Sequence, residues 1–122
     1  MSEKYNRSFY QSEARVATPP AVQVEDDLVR GIQVIIDVTA TAATPSVVPT
    51  IDGLDPLTGN FYNILTGAAI TATGTTVLRV HPELPDAANL VAQDFLPETY
   101  RVVMTHADAD SITYSVNVNS TT

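Results

Sequence analysis

The 122-residue chain is one ordinary domain, long enough for folding to withdraw roughly two-thirds of its unfolded surface from water. It has no cysteine, which excludes a disulfide scaffold, thiolate metal sites and thiol chemistry, and it has no apolar run near the roughly 20 residues of a membrane span. Lys4, Arg7 and Arg15 against Glu3 and Glu13 leave residues 1–15 at +1, while Arg30, Arg79 and Arg101 against twelve acids leave the rest at −9; a body this acidic repels phosphate backbones and argues against direct nucleic-acid binding.

Residues 1–20 read as an extended arm, polar, without sustained period and closing in Thr18-Pro19-Pro20. The first residues have no apolar core of a signal peptide, so the product is expected to be made and used without export. Tyr5, Phe9 and Tyr10, with Arg7 and Arg15, are the arm's candidate anchors, because aromatic and arginine side chains dominate protein contacts. If the arm grips a neighbour, removing residues 1–20 weakens binding more than folding.

The body, residues 21–122, opens with a short strand around Ala21–Val24 and the acidic turn Glu25-Asp26-Asp27. Leu28–Thr39 is the clearest strand: Ile32, Val34, Ile36 and Val38 fall on one side, and Gln33, Asp37 and Thr39 on the other. Ala40–Pro45 is a loop. Ser46–Leu54 reads extended, with Pro49 placing it at an edge or a bulge because proline offers no N–H to a ladder. Asp55–Asn60 is a turn, and Phe61–Leu65 returns as the second arm of that hairpin. A short strand is expected around Ala69–Ala72 and a firmer one over Thr75–Val80. His81–Leu96 reads as loop, with Asp86 capping one helical turn over Ala87–Val91. Thr99–Ala107 and Ser111–Asn119 alternate around an Asp108-Ala109-Asp110 turn and form a hairpin. Seven or eight short strands without long helices predict an all-β, antiparallel β-sandwich, jelly-roll or immunoglobulin-like.

Nothing in the chain assembles a reaction centre. The two histidines, His81 and His106, sit at strand ends, and no Gly-x-Ser-x-Gly or phosphate-cradling glycine motif is present. No catalytic, cofactor or metal residue is assigned, and no cofactor is expected. Asp52, Asp55, Asp108 and Asp110 place carboxylates on loops where calcium could bind, but Asp is also the favoured turn residue.

A resemblance carries the reading further. Arg30-Gly31 leading into Val34–Thr39, the segment Ile51-Asp52-Gly53-Leu54-Asp55-Pro56 with Gly59 and Tyr62, the Leu78-Arg79-Val80 strand, and Tyr100-Arg101-Val102 through Thr105–Val116 resemble small virion proteins of tailed bacteriophages. The likeness covers about Arg30 to Val118 and leaves the arm outside. Such proteins are similar to capsid decoration (cement) proteins. The resemblance implies a non-enzymatic protein on the capsid exterior, made in the host cytoplasm, that bridges subunits of a major capsid protein and self-associates as a homotrimer or other homo-oligomer, with no membrane partner. Two other roles compete with it: a tail or head–tail joining protein, and a calcium- or carbohydrate-dependent binding module.

Overall fold

The computed structural model describes residues 4–26 and 28–122. Among them are nine strands and no helix: β1 (Lys4–Arg15), β2 (Val22–Glu25), β3 (Gly31–Thr41), β4 (Val47–Leu54), β5 (Phe61–Thr66), β6 (Gly74–Val80), β7 (Val91–Ala92), β8 (Thr99–His106) and β9 (Ile112–Thr121). They form two sheets, β1-β9-β3-β6-β7 and β2-β8-β4-β5. Every neighbouring pair is antiparallel except β6 with β7.

The pairing is nested. β4 pairs with β5, β3 with β6, β2 with β8 and β1 with β9, as in one long hairpin ribbon. Rolling that ribbon brings β3 against β9 and β4 against β8, which closes the two four-stranded layers. This order is a jelly roll and not the immunoglobulin arrangement, with β7 added at one edge.

The alternation in sequence sets the interior. Ile32, Val34, Ile36, Val38, Leu78, Val80, Tyr114, Val116 and Val118 from one sheet meet Val47, Ile51, Tyr100, Val102 and Met104 from the other, all buried. Their neighbours in sequence, such as Gln33, Ile35, Arg79 and Arg101, face outward and are only partly covered. Strand β4 lies between two others rather than at an edge. Its Pro49 is accommodated because the β5 ladder starts one residue later, at Thr50.

Three local expectations change. The stretch around Ala69–Ala72 contributes a single bridge, Ile70 with Val47, instead of a strand. Asp86 does not cap a helical turn: its carboxylate accepts the Gln93 N–H at 2.6 Å, and residues 87–91 form a tight turn with Asn89 at positive φ. The largest change is at the N-terminus. Residues 4–15 of the expected arm form β1, hydrogen-bonded along β9 as a full member of the sheet; residues 1–3 lie outside the described residues, as does Asp27 of the acidic turn.

Strand register sorts the loops onto two ends. Residues 16–21, 42–46, 67–73 and 107–111 connect strands at one end, and residues 26, 28–30, 55–60, 81–90 and 93–98 lie at the other.

Candidate interaction surfaces

The five anchor residues of the N-terminal segment divide into two groups. The pairing of β1 with β9 slips between Ser8 and Tyr10, so Phe9 is an extra residue opposite no partner. Such a bulge re-aims a side chain, and here both Phe9 and Tyr10 turn inward. Both are buried; the Phe9 ring stacks on Tyr100 of the opposite sheet with centroids 6.3 Å apart, and the Tyr10 hydroxyl donates to the Pro20 carbonyl.

Arg15 closes the same end. Its guanidinium lies over the rings of Tyr10 and Tyr114, 5.4 and 4.6 Å from their centroids, while Nη1 donates to the Tyr114 carbonyl at 2.7 Å and Nη2 to the Gln11 carbonyl at 2.8 Å. Phe9, Tyr10 and Arg15 are therefore internal fasteners and cannot grip another subunit while β1 stays in place. Tyr5 and Arg7 remain exposed.

The histidines also have internal work. His81 Nδ1 accepts the Glu83 N–H at 3.0 Å, and its ring lies on Gly31, where an added Cβ would come within 2.2 Å of it. His106 Nε2 lies 3.0 Å from the Tyr114 hydroxyl. Tyr114 has no exposed surface, and burial pushes its pKa up to about 12.

Burial lowers the His106 pKa; the Asp108 carboxylate opposes this and Arg15 reinforces it. The unfolded chain then takes up the proton first as pH falls, so this histidine's contribution is intact above its ordinary value near 6.5 and is lost below it. We expect the denaturant midpoint to fall between about pH 7.5 and pH 5, and to fall less in His106→Gln. Equal pH dependence in both proteins would show that His106 is not the group responsible.

The four carboxylates expected on loops are not brought together, and Asp52 lies within β4. Asp52 and Asp55 lie toward one end of β4, whereas Asp108 and Asp110 lie at the other end of the sandwich. Asp52 is buried and bound to Arg101 Nε at 3.0 Å and to Asn63, with the Arg101 guanidinium 3.8 Å from the Phe61 ring centroid. Asp55 accepts the Leu57 N–H and the Thr58 hydroxyl; Asp108 accepts the Asp110 N–H; Asp110 accepts from Thr44. These are turn and ion-pair contacts. Among the described residues, no group of three or more histidine and acidic side chains could hold a metal ion.

A cleft of about 590 Å³ opens on the outer face of the five-stranded sheet, lined by Tyr5, Gln33, Arg79, His81, Leu84 and Asn119 among others. Asn6, Asn119, Gln33 and Arg79 stand in one row across four strands. Asn6 donates to Asn119 at 2.7 Å, and Asn119 lies 3.1 Å from Gln33. Turning the Gln33 amide over lets its oxygen accept from Arg79 Nη2 and Nε at 3.0 and 3.3 Å. The row largely satisfies itself.

The opposite holds at the end formed by residues 26, 28–30, 55–60, 81–90 and 93–98. Phe95 is 76% exposed, Leu28 66% and Leu57 91%. Phe95 lines two adjacent grooves, one with Leu28, Val29, Pro82 and Leu96, the other with Leu54, Pro56, Tyr62 and Pro97. Glu25, Asp26, Asp55 and Glu98 rim these grooves; their one basic residue, Arg30, pairs with Glu83 at 3.3 Å. Sequence reading passed over Phe95 because a lone aromatic in a proline-punctuated loop has no period. Its only signal is an apolar pair, Phe95-Leu96, set between Asp94 and Pro97-Glu98 where no strand follows.

No family model and no curated protein matches the sequence. Among solved structures, a chain from the structure of the infectious bursal disease virus Gx strain aligns over 99% of this chain and 33% of its own length, with a TM-score of 0.55 and 9% identity. A chain from the Gt strain structure aligns over 99% and 30%, with a TM-score of 0.43 and 10% identity. The chain thus spans about a third of the length of the viral chains it matches. At this identity, the Gx likeness is one of fold.

Proposed function

We propose that the chain is a structural subunit of a virus particle and acts by surface contact, without catalysis. The observation that carries this reading is the two-sheet sandwich, similar in fold over 99% of the chain to a chain from a virus structure, in which His106, Tyr114 and Arg15 are engaged with one another. Within that role, the sequence resemblance supports a capsid decoration protein of a tailed bacteriophage. It sits on the capsid exterior, bridges major capsid subunits and associates as a trimer or other homo-oligomer. The anchors are exposed loops rather than a free N-terminal arm, because Phe9, Tyr10 and Arg15 are committed to the sandwich.

Purified protein is expected to co-sediment with expanded empty shells assembled from the cognate major capsid protein, and imaging of labelled protein on virions should decorate the head. Label along the tail with bare heads would select the tail or head–tail joining role. Failure to associate with any part of the particle would overturn the virion reading.

A further inference from the structure

We infer that the Phe95 end of the sandwich docks a protein segment carrying an apolar side chain between basic ones. The inference supplies the contact face for the virion reading and rests on that reading only for the identity of its natural partner.

Three observations lead there. The first is exposure: Phe95, Leu28, Leu57 and Tyr62 all lie exposed at one end of the molecule, and grouped exposed apolar side chains mark interaction sites. The second is that the ridge is held by structure. Leu96 beneath it is buried, the Phe95 N–H donates to Asp94 Oδ1 at 2.7 Å, and the Asp26 N–H donates to the Glu98 carbonyl at 2.8 Å, tying the β2–β3 turn to this loop. A ridge fixed before binding loses little freedom on binding.

The third is charge, which selects the occupant. Four carboxylates rim the grooves, and the one arginine among them already has a partner in Glu83. Asp55 stays ionised at neutral pH, since the Leu57 N–H and the Thr58 hydroxyl both stabilise its charged form. A second copy meeting the first through this face would set acids against acids. Anionic lipid headgroups and phosphate backbones are repelled for the same reason. A protein segment with arginine or lysine on either side of a leucine or phenylalanine fits both features: the apolar group enters a groove beside Phe95, and the cations meet Glu25, Asp26, Asp55 and Glu98.

The test is a nitrogen-15 NMR titration of the full chain with two capped pentapeptides. Each carries two leucines around a proline, one ending in arginines and the other in glutamates. The arginine peptide should saturate, with shifts confined to residues 25–26, 28–30, 55–62 and 94–99. Phe95→Ala should weaken it about tenfold, and the pair Glu25→Gln, Glu98→Gln several-fold. Phe95 is exposed, so its variant should melt like the parent, which separates lost binding from lost folding. Equal response to the glutamate peptide, no saturable shift at millimolar peptide, shifts on the outer sheet face, or full binding by Phe95→Ala would each overturn the inference. Shell binding without peptide binding would leave the virion reading standing and remove this face from it; peptide binding without shell binding would do the reverse.

Discussion

Ile36→Asp is expected to lose about 4–5 kcal/mol of stability, roughly 15–20 °C in melting temperature, or to fail to fold at all. Ile36 has no exposed surface and lies in register with Thr76 on β6 and Val116 on β9, facing the opposite sheet. A carboxylate there has no cation within the layer and no route to water, so it must either stay charged without solvation or be protonated at a cost. A domain of this size is stable by only about 5–15 kcal/mol, so the change consumes much of the margin. The adjacent residue provides the control. Ile35 points outward beside Asn117 and Val77 and is only partly covered, so Ile35→Thr should shift stability by less than about 1 kcal/mol. Thermal melts of the two variants read the strand's phase directly, and the reverse ranking would mean that β3 faces the other way.

Removal of residues 1–15 is expected to abolish cooperative unfolding. A purely extended arm could be cut away with little effect on the body. β1 cannot, because it buries Phe9 and Tyr10, and truncating one such buried aromatic costs about 3–5 kcal/mol. It also covers the β9 edge from Ile112 to Thr121, whose unpaired backbone groups would otherwise be open to a strand from another molecule. Circular dichroism should show no sharp melt for the truncated chain, and light scattering should show association. A truncated protein that melts like the parent and keeps its β9 amides protected from exchange would show that β1 is dispensable.

Strands were legible where one face is dry and the other wet. The two-residue beat through Ile32, Val34, Ile36 and Val38, and again from Tyr100 to Met104 and Ile112 to Val118, identified the interior side of β3, β8 and β9 correctly. β1 was not legible because its two register slips break the beat: Phe9 and Tyr10 are neighbours that face the same way, and the residues beside them on either side are exposed. Strand order was out of reach for another reason. Alternation tells which face a side chain takes, not which strand lies beside it. The roles of Arg15 and Phe95 depend on chain segments far apart in sequence, so neither could be read from local composition.

The pairing of β1 with β9 also bears on how the molecule is made. Lys4 lies opposite Thr121, so the strand that leaves the ribosome early finds its partner only when the last strand emerges. At roughly 5–20 residues per second, the nascent chain waits on the order of 5–20 s with Phe9 and Tyr10 uncovered. Such late, long-range closure is slow by its topology. Chaperones that shield apolar segments during translation are therefore expected to raise its yield more than its final stability suggests.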